Sequence, residues 1–270
     1  MTDNRPDDPI GVMQHAGSYK GKTALVVLGG PSAKGWEKLR DRIKPDVILG
    51  VNGVNSMIPD LDFFICMESL VSTAGLAERG DKRAREFMKM LQRTGAKVRL
   101  INRKNIDLLL DHKGVIAVQR REPFEADEVP ADFSFREYGP GFIKGALMKD
   151  REAIGNLKLP VGTVALQLLH MAGILGCAEV DTIGLDLCFK GLHHHAYNYP
   201  KYEPNKYFLP PNFITHKGLR TMRFWVESAQ YLINIKPQMD KVGMEWVDHS
   251  GGLLAALQET DKPDIVVGIR

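Results

Sequence analysis

The chain has 270 residues, 44% of them hydrophobic and 26% charged, the balance of a globular protein long enough to bury one large core. Its 36 basic and 33 acidic residues are interspersed and leave a formal net charge of +3, too small and too scattered a field to drive nucleic-acid binding, so a phosphate-bearing small molecule fits better as a partner. Cys66, Cys177 and Cys188 are odd in number, widely spaced and set in apolar runs, which excludes a disulfide framework or zinc ribbon and marks them as reduced core residues.

In chain order, a polar leader over 1–21 has no apolar segment of the signal-peptide kind and is expected to be disordered. Thr23 to Leu28 (TALVVL) is a β-branched apolar run that reads as a buried strand entering a tight turn at Gly29-Gly30-Pro31-Ser32. Residues 33–43 place Trp36, Leu39 and Ile43 at helical spacing, and Pro45 stops that helix. Asp46 to Val51 and Asp62 to Met67 are two further apolar runs, bounded by Asn52-Gly53 and Pro59-Asp60, and read as neighbouring parallel strands. Residues 81–94 predict an amphipathic helix with a basic stripe of Lys82, Arg85, Lys89 and Arg93. Lys97 to Ile101 and Val115 to Val118 are candidate strands.

From 122 to 160 the periodicity dissolves into a Pro-, Gly- and acid-rich stretch, expected to be an insertion or lid. Val161 to Leu175 then reads as a helix and Val180 to Leu187 as a strand ending at Asp186. A His- and Tyr-rich loop follows, then a long helix over 217–235, a strand over Met244 to Val247 and a short helix over 252–257. The alternation predicts an α/β, Rossmann-like, doubly wound and mostly parallel sheet. The domain is expected to span 22–260, with inserted loops at about 122–160 and 190–215 and a tail over 261–270. No stretch approaches the ~18 uncharged residues of a membrane span, so the expectation is a cytoplasmic protein with at most peripheral membrane contact.

A parallel strand ending in Gly-Gly exposes backbone N–H groups at the start of the next helix, where the dipole favours an anion; Ser32 adds a hydroxyl donor. Gly29, Gly30, Pro31 and Ser32 are therefore candidates for a nucleotide phosphate, although the same residues also make an ordinary tight turn. The stretch lacks the third glycine of a dinucleotide fingerprint and the lysine of a P-loop. Asn52, ending the second strand, offers an amide for base or sugar recognition, or simply forms a turn before Gly53. Asp60 and Asp62 straddle a turn and could hold a divalent cation, or cap the strand. Of His193, His194 and His195, no more than two readily converge from an extended loop, and no cysteine or carboxylate sits at ligand spacing.

A strand ending in Gly-Gly-Pro-Ser, a second ending in Asn52 and a Pro59-Asp60 turn together resemble the MptE-like and motility-accessory-factor family (the domain of unknown function 115 group) and the related sialyltransferases of glycosyltransferase family 42. The second half is similar too, with Gly162-Thr163 before a helix, Gly184-Leu185-Asp186, a tyrosine-bearing loop, Thr215-His216 and Ser250-Gly251-Gly252-Leu253-Leu254 in order. The resemblance implies a donor nucleotide, or nucleotide sugar, held by residues 29–32, Asn52, Thr163 and Asp186, a glycan or small-molecule acceptor, and His216 as general base. A histidine opening a helix would be kept neutral by the dipole, as such a base requires. The family's leaving-group tyrosines align with Cys188 or Phe189 and His195, so His195 is the candidate on the leaving phosphate, and this departure points away from sialic acid as the sugar. A glycosyltransferase of this kind needs no cofactor. The alternative activity, a pterin pyrophosphokinase, needs Mg²⁺ on Asp60, Asp62 or Asp186. A non-catalytic nucleotide-binding module is the third reading.

Overall fold

The computed structural model describes residues 14–66, 78, 80, 82, 85, 88, 89, 95–102, 115–118, 164–190, 196, 213–241, 243–259 and 267–268. The expected lid over 122–160, Thr163, His193 to His195 and the loop tyrosines lie outside them. So does most of the 81–94 helix, of which Lys82, Arg85, Met88 and Lys89 are helical.

Seven parallel strands form the main sheet: β1 (Thr23–Val27), β2 (Val47–Val51), β3 (Phe63–Cys66), β4 (Val98–Asn102), β5 (Val115–Val118), β6 (Glu179–Ile183) and β9 (Glu245–Asp248). Their order is β5-β4-β3-β2-β1-β6-β9. The chain therefore winds outward from β1 to β5 on one side, returns, and continues through β6 and β9 on the other. This is the α/β Rossmann-like architecture that the alternation predicts, and it creates a topological switch point between β1 and β6. There Val26 pairs with Thr182 and Val27 with Ile183.

Strands covered on both faces must be apolar throughout, and Ala24, Leu25, Val26 and Val27 are fully buried. Trp36 and Leu39 of α1 (Trp36–Ile43), nearly all of α2 (Ala165–Leu175), Ala229, Leu232 and Met239 of α3 (Arg223–Lys241) and Leu253 and Leu254 of α4 (Leu253–Gln258) complete the core. The three cysteines are buried, as expected, and none is in a disulfide. Burial pushes the Cys177 thiol up to about 12 and also raises Cys188, so neither is a thiolate nucleophile at neutral pH.

Two expectations about local structure are corrected. Residues 14–21 of the leader are ordered, because the N–H groups of Gly17, Tyr19 and Gly21 bond to the orphan carbonyls of Ile174, Leu175 and Gly176 at the carboxyl end of α2. The long helix begins at Arg223 rather than 217 and runs through Pro237 to Lys241, burying Met239 despite the missing hydrogen bond. Residues 213–222 are instead a β-hairpin of β7 (Phe213–His216) and β8 (Leu219–Met222). The tail contributes β10 (Val267–Gly268), which pairs antiparallel with β7. Among the described residues, no helix is long and apolar enough to cross a membrane.

Candidate functional site

The carboxyl ends of β1 and β6 meet in one hydrogen-bonded knot. The Leu28 N–H donates to the Ile183 carbonyl and the Gly30 N–H to the Gly184 carbonyl, both at 2.8 Å, which extends the β1–β6 ladder past the strands. A Cβ on Gly30 would lie 2.5 Å from the Gly184 oxygen and would collide with Asp186 Oδ2 as well. Gly184 has φ +85°, and a Cβ there would run into the Leu28 carbonyl. Both glycines are thus required by the approach of the protein's own backbone and carboxylate.

Asp186 is fully buried at this junction. Its Oδ2 accepts the Ser32 N–H at 2.9 Å and the Ser32 hydroxyl at 2.7 Å, while the Ser32 oxygen in turn accepts the Gly184 N–H at 2.9 Å. This corrects the expectation that the Gly30 and Ser32 amides hold a phosphate: the N–H groups are turned onto Gly184 and Asp186, and a buried carboxylate occupies the place of the anion. Nor does an α-helix start at Pro31. The residues Pro31–Gly35 are a 3-10 turn, with α1 beginning only at Trp36. The other carboxylate oxygen, Asp186 Oδ1, makes no hydrogen bond among the described residues, and Lys190 Nζ stands 3.5 Å from it. A buried acceptor in this state is rare in native structures and calls for a ligand or solvent donor.

The segment that carries Asp186 is held from three sides. The Leu185 N–H donates to Ser250 Oγ at 2.7 Å, and Ser250 donates to Asp248 Oδ1 at 2.8 Å. That same oxygen accepts the Thr182 hydroxyl at 2.8 Å, and Thr182 accepts the Trp246 indole N–H at 3.1 Å. The Leu253 N–H bonds to the Asp186 carbonyl at 2.8 Å, and the Thr221 hydroxyl of β8 to the Leu187 carbonyl at 2.6 Å. Nearby, Arg42 stands 3.1 Å from His249 Nδ1. Because arginine only donates, Nδ1 accepts from it and Nε2 donates to Asp181, so His249 braces α1 against β6.

Burial pushes the Asp248 carboxyl above its ordinary value of 3.8, opposed by the bonds from Thr182 and Ser250, with the Asp186 charge adding to the rise. A carboxyl raised in the folded state contributes stability that is complete below 3.8 and is lost as pH climbs through the raised value. Asp248→Asn keeps an acceptor oxygen but cannot ionise. Its urea midpoint is expected to gain on wild type as pH rises from below that value toward neutrality, and a difference independent of pH would contradict this assignment.

Of the other anticipated residues, Asn52 directly follows β2 and opens a 3-10 turn at the same sheet edge, with φ +44° and a buried side-chain oxygen. Asp60 and Asp62 do not join the site. They precede β3 at the opposite, amino edge, where Asp62 accepts the Ile48 N–H at 2.8 Å and pairs with Lys97 Nζ at 2.6 Å. These partners commit Asp62 to a structural task, and no group of three metal-ligating side chains is found among the described residues.

His216 does not open a helix. It ends β7 opposite Leu219, beside a two-residue turn in which Lys217 and Gly218 have φ +48° and +75°, so no helix dipole acts on it. A Lys-Gly pair between the alternating runs FITH and LRTM was the signal for this hairpin. His216 stands two positions along the hairpin from Ile214, the pairing partner of Thr221, hence about 7 Å beyond the bond to Leu187. His195 is outside the described residues, but the N–H of the following residue, Ala196, donates to the Gly29 carbonyl at 2.9 Å. Lys190 and the Ser250–Asp248 relay were not anticipated. A lysine four residues after the strand-end aspartate was the available cue for the first.

No protein-family model and no curated protein matches the chain. Among solved structures, the chain is similar to the MAf glycosyltransferase from Magnetospirillum magneticum AMB-1, at 14% identity and a TM-score of 0.45. The alignment covers 95% of this chain and 39% of that one, so the chain spans well under half the length of this structural neighbour.

Proposed function

We propose that the carboxyl edge between β1 and β6 binds a nucleotide-linked substrate and that the chain is a glycosyltransferase-like transferase using a nucleotide sugar. The observation that supports this reading is the buried Asp186 at the switch point, whose Oδ1 has the Lys190 ammonium 3.5 Å away but accepts no hydrogen bond among the described residues. Ligands of open α/β sheets bind outside the carboxyl ends of the strands at such a point, and a ribose hydroxyl or base N–H supplies the missing donor. Asn52 lines the same edge. Lys190 carries the positive charge suited to a phosphate that the Gly30 and Ser32 amides no longer provide. His216, on the hairpin docked to Leu187, is the group proposed to take the acceptor's proton. His195, next to the Ala196 anchor on Gly29, is proposed to meet the leaving phosphate, and Thr163, preceding α2, completes the candidate set. The chemistry is displacement at the anomeric carbon: the acceptor oxygen bonds to it, the bond to the phosphate oxygen breaks, and the nucleotide leaves. The Mg²⁺-dependent diphosphotransferase reading has lost Asp60 and Asp62 to the opposite sheet edge.

A thermal-shift series against CMP, CDP, UDP, GDP, ATP with and without Mg²⁺, and NAD tests this reading, since a ligand specific to the folded state raises the melting temperature. A shift by a nucleotide that persists in chelator and is lost in Asn52→Ala is the expected result. A shift confined to Mg·ATP would replace the proposal with diphosphoryl transfer, and no shift with any nucleotide would overturn it.

A further inference from the structure

Gln167 lies in the first turn of α2, only 4% exposed, and its Oε1 makes no hydrogen bond among the described residues. The topology places it at the same sheet edge as Asp186. The carboxyl end of α2 is pinned to the amino edge, where Ala178, one residue before β6, donates its N–H to the Lys22 carbonyl just before β1. From there the helix runs back against β1 for 11 residues, about 16 Å at ~1.5 Å per residue. The five residues of β6 cover about 16 Å at ~3.3 Å per residue, so the first turn of α2 is level with the carboxyl ends of β1 and β6.

Every neighbour of Gln167 in that turn is apolar: Ala165, Leu166 and Leu168 are buried core. Methionine, of the same length, would satisfy the core without stranding a polar atom, so the glutamine is expected to cost the folded chain stability. Groups retained at a cost to stability belong with binding or catalysis. Gln167 Oε1 and Asp186 Oδ1 are two buried acceptors at one edge, with the nearby N–H groups of Gly30 and Ser32 already consumed. This pair of acceptors selects hydrogen-bond donors, while Lys190, 3.5 Å from Asp186 Oδ1, is the charge left for a phosphate.

We infer that Gln167 is a specificity-determining residue that accepts a hydrogen bond from the nucleoside half of the substrate, an N–H of the base or a hydroxyl of the ribose, so that the two buried acceptors read the nucleoside while Lys190 is left to the phosphates. This rests on the nucleotide-site reading above and deepens it. In a thermal-shift titration of the whole chain with free nucleosides, nucleotides and pyrophosphate, nucleosides are expected to stabilise the protein on their own, and more than pyrophosphate does. Gln167→Met is expected to melt higher than wild type without ligand and to bind the best nucleoside about tenfold more weakly, about 1.4 kcal/mol, while Gln167→Glu, which keeps an acceptor, retains more of the binding. Should the variants fail to fold, wild type alone decides the matter, because nucleosides lacking in turn the 2′-hydroxyl, the 3′-hydroxyl or the exocyclic amine must include one that loses most of the shift. Nucleotide shifts unaltered by Gln167→Met, or equal shifts with every analogue, would overturn this inference and leave the nucleotide site standing. Stabilisation by pyrophosphate but by no nucleoside would overturn it as well. Silence toward every nucleoside and nucleotide would instead remove the underlying site.

Discussion

Gly30→Ala is expected to destabilise the protein by about 3 kcal/mol or more, from a steric cost of about 1–3 kcal/mol for overpacking together with the hydrogen bonds that must open to relieve it. The added methyl would sit 2.5 Å from the Gly184 carbonyl oxygen and against the buried Asp186 carboxylate, neither of which is the free end of a flexible side chain. Relief means parting the Gly30 N–H from Gly184 and withdrawing Asp186 from Ser32. In a chain of this size the loss corresponds to about 6–12 °C in Tm. A scanning-calorimetry comparison checks it. A Tm within about 2 °C of wild type would mean that the close approach of β1 and β6 is not a constraint.

Replacing Asp186 separates the two tasks of that carboxylate. Asp186→Ala strands the Ser32 N–H and hydroxyl in a buried place, and a loss of about 3 kcal/mol is expected, as for other buried charge-assisted bonds left half-made. Asp186→Asn can keep its amide oxygen on Ser32 and puts an NH₂ where Oδ1 stood. Its stability is expected to fall by only about 1 kcal/mol, whereas affinity for a nucleotide falls about tenfold or more, because an acceptor has become a donor. Urea denaturation and a nucleotide titration on both variants give the two numbers separately. Equal nucleotide affinity in wild type and the asparagine variant would assign Asp186 to the fold alone.

The two substitutions concern the same junction, and the junction shows what local sequence can and cannot carry. The Gly-Gly-Pro-Ser turn was readable as the end of a buried strand because TALVVL admits little else, and it lies at the carboxyl edge of the sheet. Its N–H groups, however, are engaged by the protein itself. A strand-to-helix turn with free N–H groups is the ordinary expectation, and only the pairing of β1 with β6, more than 150 residues away in sequence, brings Asp186 onto Ser32. Likewise His216 was placed on a helix because LRTM continues without a break into an apolar helical pattern. The local alternation around Lys217-Gly218 pointed the other way, and the bond from Thr221 to Leu187 fixes the hairpin's place. Asp60 and Asp62 show the complementary error. Two carboxylates close in sequence suggested a cation, whereas the strand direction places them at the amino edge, where Lys97 and the Ile48 N–H take up Asp62.

What the sequence determined by itself is the class of fold: apolar β-branched runs of strand length alternating with amphipathic helical periods can bury their surface only as a parallel sheet covered on both faces. It also marked the three cysteines as buried core and the ends of β1, β2 and β6 as an edge rich in polar residues. The tertiary structure alone decided which donors and acceptors remain for a ligand. Hydrogen bonds between residues distant in sequence consume the Gly30 and Ser32 amides and leave Asp186 Oδ1 and Gln167 Oε1 without a donor among the described residues. The physical reason is that hydrophobic periodicity is a local property and sets secondary structure, whereas the state of a polar atom depends on which strands lie side by side.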